Sequence, residues 1–255
     1  IQKLAADTSN PSYIFRLPGV FGKWCRPNYN SVVATFCYNI ARDLPIQIID
    51  PAKSLSLVYI DDVIDAIIAT LEANNIGLMH VKVEKEHLIS LNDLACQIRA
   101  FKNCRTTLVS ERVGNGLVRA LYSTYLSYLP SDSFSYEVPQ HADSRGIFVE
   151  MLKTEDSGQF SYFTANAGVT RGGHYHNSKT EKFLVVKGEA LFRFKDLISN
   201  ESVTIYSSGS NPEIIDTIPG WSHDITNIGK EDLIVILWAN EIFDPKKPDT
   251  FQYNV

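Results

Sequence analysis

The chain has 255 residues, with 24 Lys and Arg against 29 Asp and Glu, and a formal net charge of -5. No basic block stands out, which argues against nucleic acid or an anionic membrane as the main partner, because backbone phosphates are bound by concentrated positive charge. No apolar run approaches the roughly 18 residues needed to cross a bilayer, and the opening Ile1-Gln2-Lys3 has neither a start Met nor the apolar core of a signal peptide. The expectation is a cytoplasmic globular protein whose front end lies outside this sequence.

In chain order, residues 12–17 read as a short strand closed by Pro18-Gly19, and residues 31–40 as a helix. Residues 56–60 form a second strand. Asp61 is expected to cap the helix that follows, whose apolar positions 63, 64, 67, 68 and 71 fall on one face. A further amphipathic helix spans 91–101, capped by Ser90 or Asn92. Strands alternating with helices predict α/β layering. Residues 126–139, with two prolines and several serines, read as a linker. From about residue 135 the segments become short, rich in Val, Ile, Phe and Tyr, and separated by turn residues. Strands are predicted at 161–165, 182–186, 190–194, 202–206 and 233–238, the pattern of an all-β barrel or sandwich. The fold expected is therefore α/β over 1–130 followed by all-β over 131–255. Cys25, Cys37, Cys96 and Cys104 form no C-x-x-C pair and read as reduced, buried thiols.

The strongest chemical signal lies in the second half. Gly168, His174, His176, Glu181 and Gly188 follow the order Gly, five residues, His-x-His, four residues, Glu, six residues, Gly. On a strand, positions i and i+2 share a face, so His174 and His176 can aim at one interior. Glu181 opens the next strand, and Gly188 permits a tight reversal. A second cluster, Pro219-Gly220-Trp221-Ser222-His223 through Asn227, brings in a third imidazole. Three imidazoles and a carboxylate suit Zn, Fe, Mn, Ni or Co and leave a position open for substrate or water. His176 is either a ligand or, swung out of the coordination sphere, a base.

The two clusters resemble the two motifs of the cupin β-barrels. Arg171-Gly172-Gly173-His174-Tyr175 and Asp143-Ser144-Arg145-Gly146-Ile147-Phe148 further resemble the signatures of the cupin epimerases that act on nucleotide-linked 4-keto-6-deoxy sugars. That resemblance implies that Arg145 and Arg171 hold a nucleotide diphosphate, for which bidentate guanidinium pairing is the physical reason. It also makes His174 the position of the catalytic base. Tyr175, between the two histidines, should point to the opposite face of its strand.

The first half resembles the extended short-chain dehydrogenase/reductases, a Rossmann-type family. The resemblance rests on residues 15–22, 44–48 and 57–63, the last reading Leu-Val-Tyr-Ile-Asp-Asp-Val. It implies a substrate-side role for Arg16 and Asn30. Residues 1–130 contain no Gly-rich phosphate loop and no Tyr-x-x-x-Lys, so this chain alone is not expected to hold NADPH, which would bind only the complete protein. Reductase and cupin together resemble a family of bifunctional capsular polysaccharide enzymes. That family implies a zinc-binding homodimer acting on a UDP-linked 4-keto-6-deoxy amino sugar. The cupin would epimerise C3, and the reductase would reduce the C4 ketone to UDP-2-acetamido-2,6-dideoxy-L-talose. Two other readings compete: another metal-dependent cupin enzyme, such as an oxygenase or sugar isomerase, and a non-catalytic cupin stabilised by zinc.

Overall fold

A computed structural model describes residues 2–8, 10–73 and 75–255. The chain divides into two compact units. One holds residues up to Arg105 with Glu111–Tyr136, and the other holds Thr106–Ser110 with Glu137–Val255.

The first unit runs α1 (Gln2–Thr8), β1 (Ser12–Phe15), β2 (Gly19–Phe21), α2 (Val32–Ala41), β3 (Ser54–Tyr59), α3 (Ile60–Glu72), β4 (Leu78–Val81), β5 (Glu86–Ser90), α4 (Leu91–Thr107) and α5 (Gly116–Ser127). β2 pairs parallel with β3, β5 lies antiparallel on the other side of β3, and β1 pairs parallel with β4. The core is helical on one side. Val33, Phe36, Cys37 and Ile40 of α2 meet Leu94, Ile98 and Phe101 of α4 and Leu121 and Tyr125 of α5. The spacings of three and four residues are those of one helix face.

The predicted capping residues need sorting. Ser31 caps α2 by accepting from the Ala34 N–H, and Ser90 caps α4 by accepting from the Asp93 N–H at 3.0 Å. Asp61 is not a cap. β3 runs straight into α3, so the extended residue Tyr59 holds the N-cap position and Asp61 sits in the first turn. There it pairs with Lys23 at 3.1 Å, while Asp62 pairs with Lys85 at 2.7 Å. Of the five apolar positions of α3, only Val63 is buried; Ile64, Ile67, Ile68 and Leu71 are exposed. α4 continues six residues past the predicted end at 101. α5 occupies a stretch whose polar residues obscure its periodicity. Thr124 is fully buried there because its hydroxyl donates to the Ala120 carbonyl at 2.8 Å.

The second unit contains β6 (Val109–Ser110), β7 (Gln140–Asp143), β8 (Gly146–Thr154), β9 (Gly158–Ala165), β10 (Thr170–Tyr175), β11 (Glu181–Lys187), β12 (Glu189–Asp196), β13 (Ser202–Ser208), β14 (Ile214–Asp216), β15 (Trp221–Asn227), β16 (Leu233–Ala239) and β17 (Phe251–Gln252). One sheet has the order β13-β12-β15-β10-β17. The other has the order β14-β11-β16-β9-β8-β6, with β7 added on β8. Alternate residues turn inward, as a half-buried strand requires. Phe163, Phe183, Val185, Leu233 and Val235 from one sheet pack with Phe192, Phe194 and Ile225 from the other.

Two local devices shape this unit. Asn227, fully buried, donates to the carbonyls of Ala165 and Glu231, both at 2.8 Å, and accepts from the Gly229 N–H at 2.9 Å, which locks the turn between β15 and β16. Between β10 and β15 the register shifts at Gly172–His174, a bulge that leaves His174 opposite His223. Gly172 has φ 96°, and a Cβ there would sit 2.8 Å from the His223 carbonyl oxygen.

Candidate metal centre

His174 on β10, His176 one residue past its end, Glu181 at the start of β11 and His223 on β15 each offer a ligand atom. These atoms all lie within 4.8 Å of one another. The imidazole centroids are 4.8, 5.0 and 5.2 Å apart. Glu181 Oε2 lies 3.3 Å from His176 Nε2 and 3.5 Å from His223 Nε2. The strand-end placement of His176 differs from the simple i, i+2 expectation. Its backbone has left β10, and its carbonyl accepts from the Gly220 N–H at 2.8 Å.

The donor set fits a divalent cation. His176 Nε2 and His223 Nε2 are buried and have no hydrogen-bond partner among the described residues. Unpaired buried polar atoms are costly in a folded chain, and a cation supplies what these lone pairs lack. His176 Nδ1–H donates to the Asp249 carbonyl, which fixes the tautomer and leaves the Nε2 lone pair facing Glu181. Burial opposes charge on Glu181, yet its contacts with His176, His223 and the Lys179 ammonium hold its carboxyl well below the usual carboxylate range. Burial, then the neighbouring His223 and His176, pull His174 down to about 4, so it is neutral at pH 7. Neutral imidazoles and one carboxylate are the form in which these residues ligate.

Supporting contacts come from sequence-distant residues that no motif announced. The Asp249 carboxylate accepts from the N–H groups of Asn177 (3.0 Å), Ser178 (2.8 Å) and Lys179 (2.8 Å) and so ties the loop between His176 and Glu181 to the C-terminal segment. Burial opposes its charge, but these donors hold its carboxyl well below the ordinary range. Thr217 Oγ1 accepts from the Glu181 N–H at 2.8 Å. Asp249→Ala is expected to weaken divalent-metal binding by about 10–100-fold, the usual cost of losing an outer-shell partner. Competition with a chromophoric chelator measures it, and an unchanged affinity would remove Asp249 from the site. Tyr175 turns away from the cluster and stacks on Phe251, with centroids 5.3 Å apart.

His174, Glu181 and His223 open onto a cavity of about 190 Å³ that Arg145 and Arg171 also line. Arg171 donates from Nε to the Thr164 carbonyl at 3.0 Å, while its Nη2 is buried without a hydrogen-bond partner among the described residues. Arg145 grips Asp143 at 2.6 and 3.0 Å, and these hydrogen bonds lower the Asp143 carboxyl to about 2. The structure thus gathers the four ligand candidates and both arginines. His176 is 1% exposed and does not line the cavity, whereas His174 does. Arg16 and Asn30 are exposed residues of the first unit and line two different cavities. Arg16 sits with His80 and Lys82, and Asn30 with Gly22 and Trp24 in one of about 610 Å³.

Comparison with known proteins bears on this site. Residues 141–251 match the family model described as "Polysaccharide biosynthesis C-terminal domain". The chain is 56% identical over its whole length to a UDP-2-acetamido-2,6-beta-L-arabino-hexul-4-ose reductase of Pseudomonas aeruginosa and covers 68% of that protein. It is 25% identical over 120 residues to the Bacillus subtilis spore coat polysaccharide biosynthesis protein SpsL, matching 43% of this chain and 80% of that protein. The crystal structure of the capsular polysaccharide assembling protein CapF from Staphylococcus aureus superposes with a TM-score of 0.92 at 41% identity, over 99% of this chain and 69% of that one.

Proposed function

Because the chain belongs to the family of CapF and the Pseudomonas aeruginosa UDP-sugar reductase, we propose that its second unit is a cupin that epimerises C3 of a UDP-2-acetamido-4-keto-6-deoxy-hexose. The observation that carries this reading is a cluster of four ligand-type side chains, three of which line one cavity together with two arginines. The first unit is read as the substrate-side portion of an extended short-chain dehydrogenase/reductase. Reduction of the C4 ketone with NADPH is assigned to a protein of the relatives' full length, a cytoplasmic homodimer.

His174, His176, Glu181 and His223 would hold the metal, with Zn²⁺ the first choice. Bound there, it would supply Lewis-acid polarisation of the C4 carbonyl oxygen. Arg171 and Arg145 would hold the diphosphate; Arg171 Nη2, which has no hydrogen-bond partner among the described residues and lies 3.9 Å from Asp143 Oδ1, is a donor for it, and Arg145 exchanges Asp143 for phosphate oxygens. The C3 hydrogen lies beside the ketone. Its loss as a proton leaves the electron pair delocalised into the carbonyl, and return of a proton on the opposite face inverts C3. Of the two imidazoles read as candidate bases, only His174 faces the cavity, so it would take the proton only with its imidazole off the metal; the enclosed His176 keeps only a ligand role.

The test is an NMR time course of the chain with that UDP-sugar in deuterated water, with metal content measured on the same sample. One deuterium should enter C3. Turnover of the sugar with no label at C3 would exclude this chemistry, and a metal-loaded chain that produces no exchange would point to zinc as a structural staple.

A further inference from the structure

Lys179 lies between the two ligand-bearing segments and is nearly as enclosed as the ligands, at 9% exposure. Its Nζ is 2.8 Å from Glu181 Oε1, while Glu181 Oε2 is the oxygen turned to His176 and His223. The two carboxylate oxygens therefore have different partners. Lysine is rarely this buried unless paired, and its backbone N–H is itself held by the Asp249 carboxylate at 2.8 Å. Lys179 thus reaches Glu181 from a loop that is anchored.

We propose that Lys179 is a positioning residue that clamps Glu181 by one oxygen, so that a single carboxylate oxygen is presented to the metal. The inference rests on the metal-centre reading above. A carboxylate with both oxygens free can ligate in two-pronged fashion and fill the position that a catalytic site keeps open. With Oε1 held by the ammonium, the coordination position on the cavity side stays available to an oxygen or nitrogen of a bound molecule. Removing the ammonium would leave Oε1 desolvated and without its partner, and the metal is the cation nearest to take it.

The experiment compares the parent chain, Lys179→Met and Lys179→Arg, each loaded with Co²⁺ and titrated with azide and, separately, with neutral imidazole. Visible absorption reads both metal uptake and binding of the added ligand. The parent and Lys179→Arg should bind one Co²⁺ and respond to both probes. Lys179→Met should still bind one Co²⁺ but lose at least about tenfold in affinity for both probes, because its open position is filled. A loss for azide alone would overturn the clamp, since it would show only a missing positive charge. Unchanged affinities would overturn it too, as would a folded Lys179→Met chain that takes up no Co²⁺. A parent chain that binds no Co²⁺ would overturn the metal centre itself, a result distinct from failure of the clamp alone.

Discussion

Replacing His223 by alanine is expected to abolish stoichiometric metal binding and, with it, deuterium exchange at C3. His223 is the ligand candidate on β15, and it stands across the bulge from His174. Its Nε2 has no hydrogen-bond partner among the described residues. Its loss would leave two imidazoles and a carboxylate, all from residues 174–181, with one side of the cluster open. Loss of an outer-shell contact already costs about 10–100-fold in metal affinity, so removal of a ligand should exceed 100-fold. His174→Ala removes another of the four ligand candidates and should likewise lose more than about 100-fold in metal affinity, and exchange at C3 with it. Metal content by atomic absorption and exchange by NMR, on the same protein, check both variants. A His223→Ala chain that keeps a full metal complement would refute the ligand assignment.

The largest effect on stability is expected at Gly158. It begins β9 at φ 80°, where an L side chain is strained, and a Cβ there would lie 1.8 Å from the Ala239 carbonyl oxygen at the end of β16. That atom is backbone in a paired strand and cannot yield without breaking the β9–β16 register. Gly158→Ala should therefore cost about 4 kcal/mol or more, at the extreme of single substitutions. Urea unfolding followed by tryptophan fluorescence would show it. Trp238 is a local reporter, since its indole N–H donates to the Ser157 carbonyl at 2.9 Å. A midpoint within error of the parent would mean that the turn relaxes in a way the geometry does not suggest.

Much of the second unit was legible in advance because its signals are short and periodic. Runs rich in Val, Ile, Phe and Tyr between turn residues marked β9, β11, β12, β13 and β16 but not β7, β8, β14 or β17, and glycine at fixed offsets marked the turns around His174, His176 and Glu181. The His-x-His spacing pointed to a shared cluster, although His176 reaches it from one residue past β10 and not by strand parity. Lys179, Asp249 and Thr217 were not legible. Each acts across tens of residues or within a loop, and nothing in the spacing of Lys246-Lys247-Pro248-Asp249 marks that aspartate as an acceptor for residues 177–179. In the first unit, α5 escaped notice because Thr124 satisfies its hydroxyl within the helix and so enters the core despite its polarity. The cap at Asp61 was misplaced because acidic residues near a helix start serve equally well in its first turn, where the helix dipole favours them.

The paired glycines of β10 have a larger consequence than permitting a bend. On an unbroken strand Arg171 and His174, three apart, would lie on opposite faces. On β15 their partners Ile225 and His223 are two apart and share one face. The extra residue resets the phase of β10 so that both its arginine and its histidine line one cavity. Straightening the bulge with no residue deleted would keep all of these residues in the sequence yet send one of that pair outward, which separates the arginine from the ligand candidates by a change of parity alone.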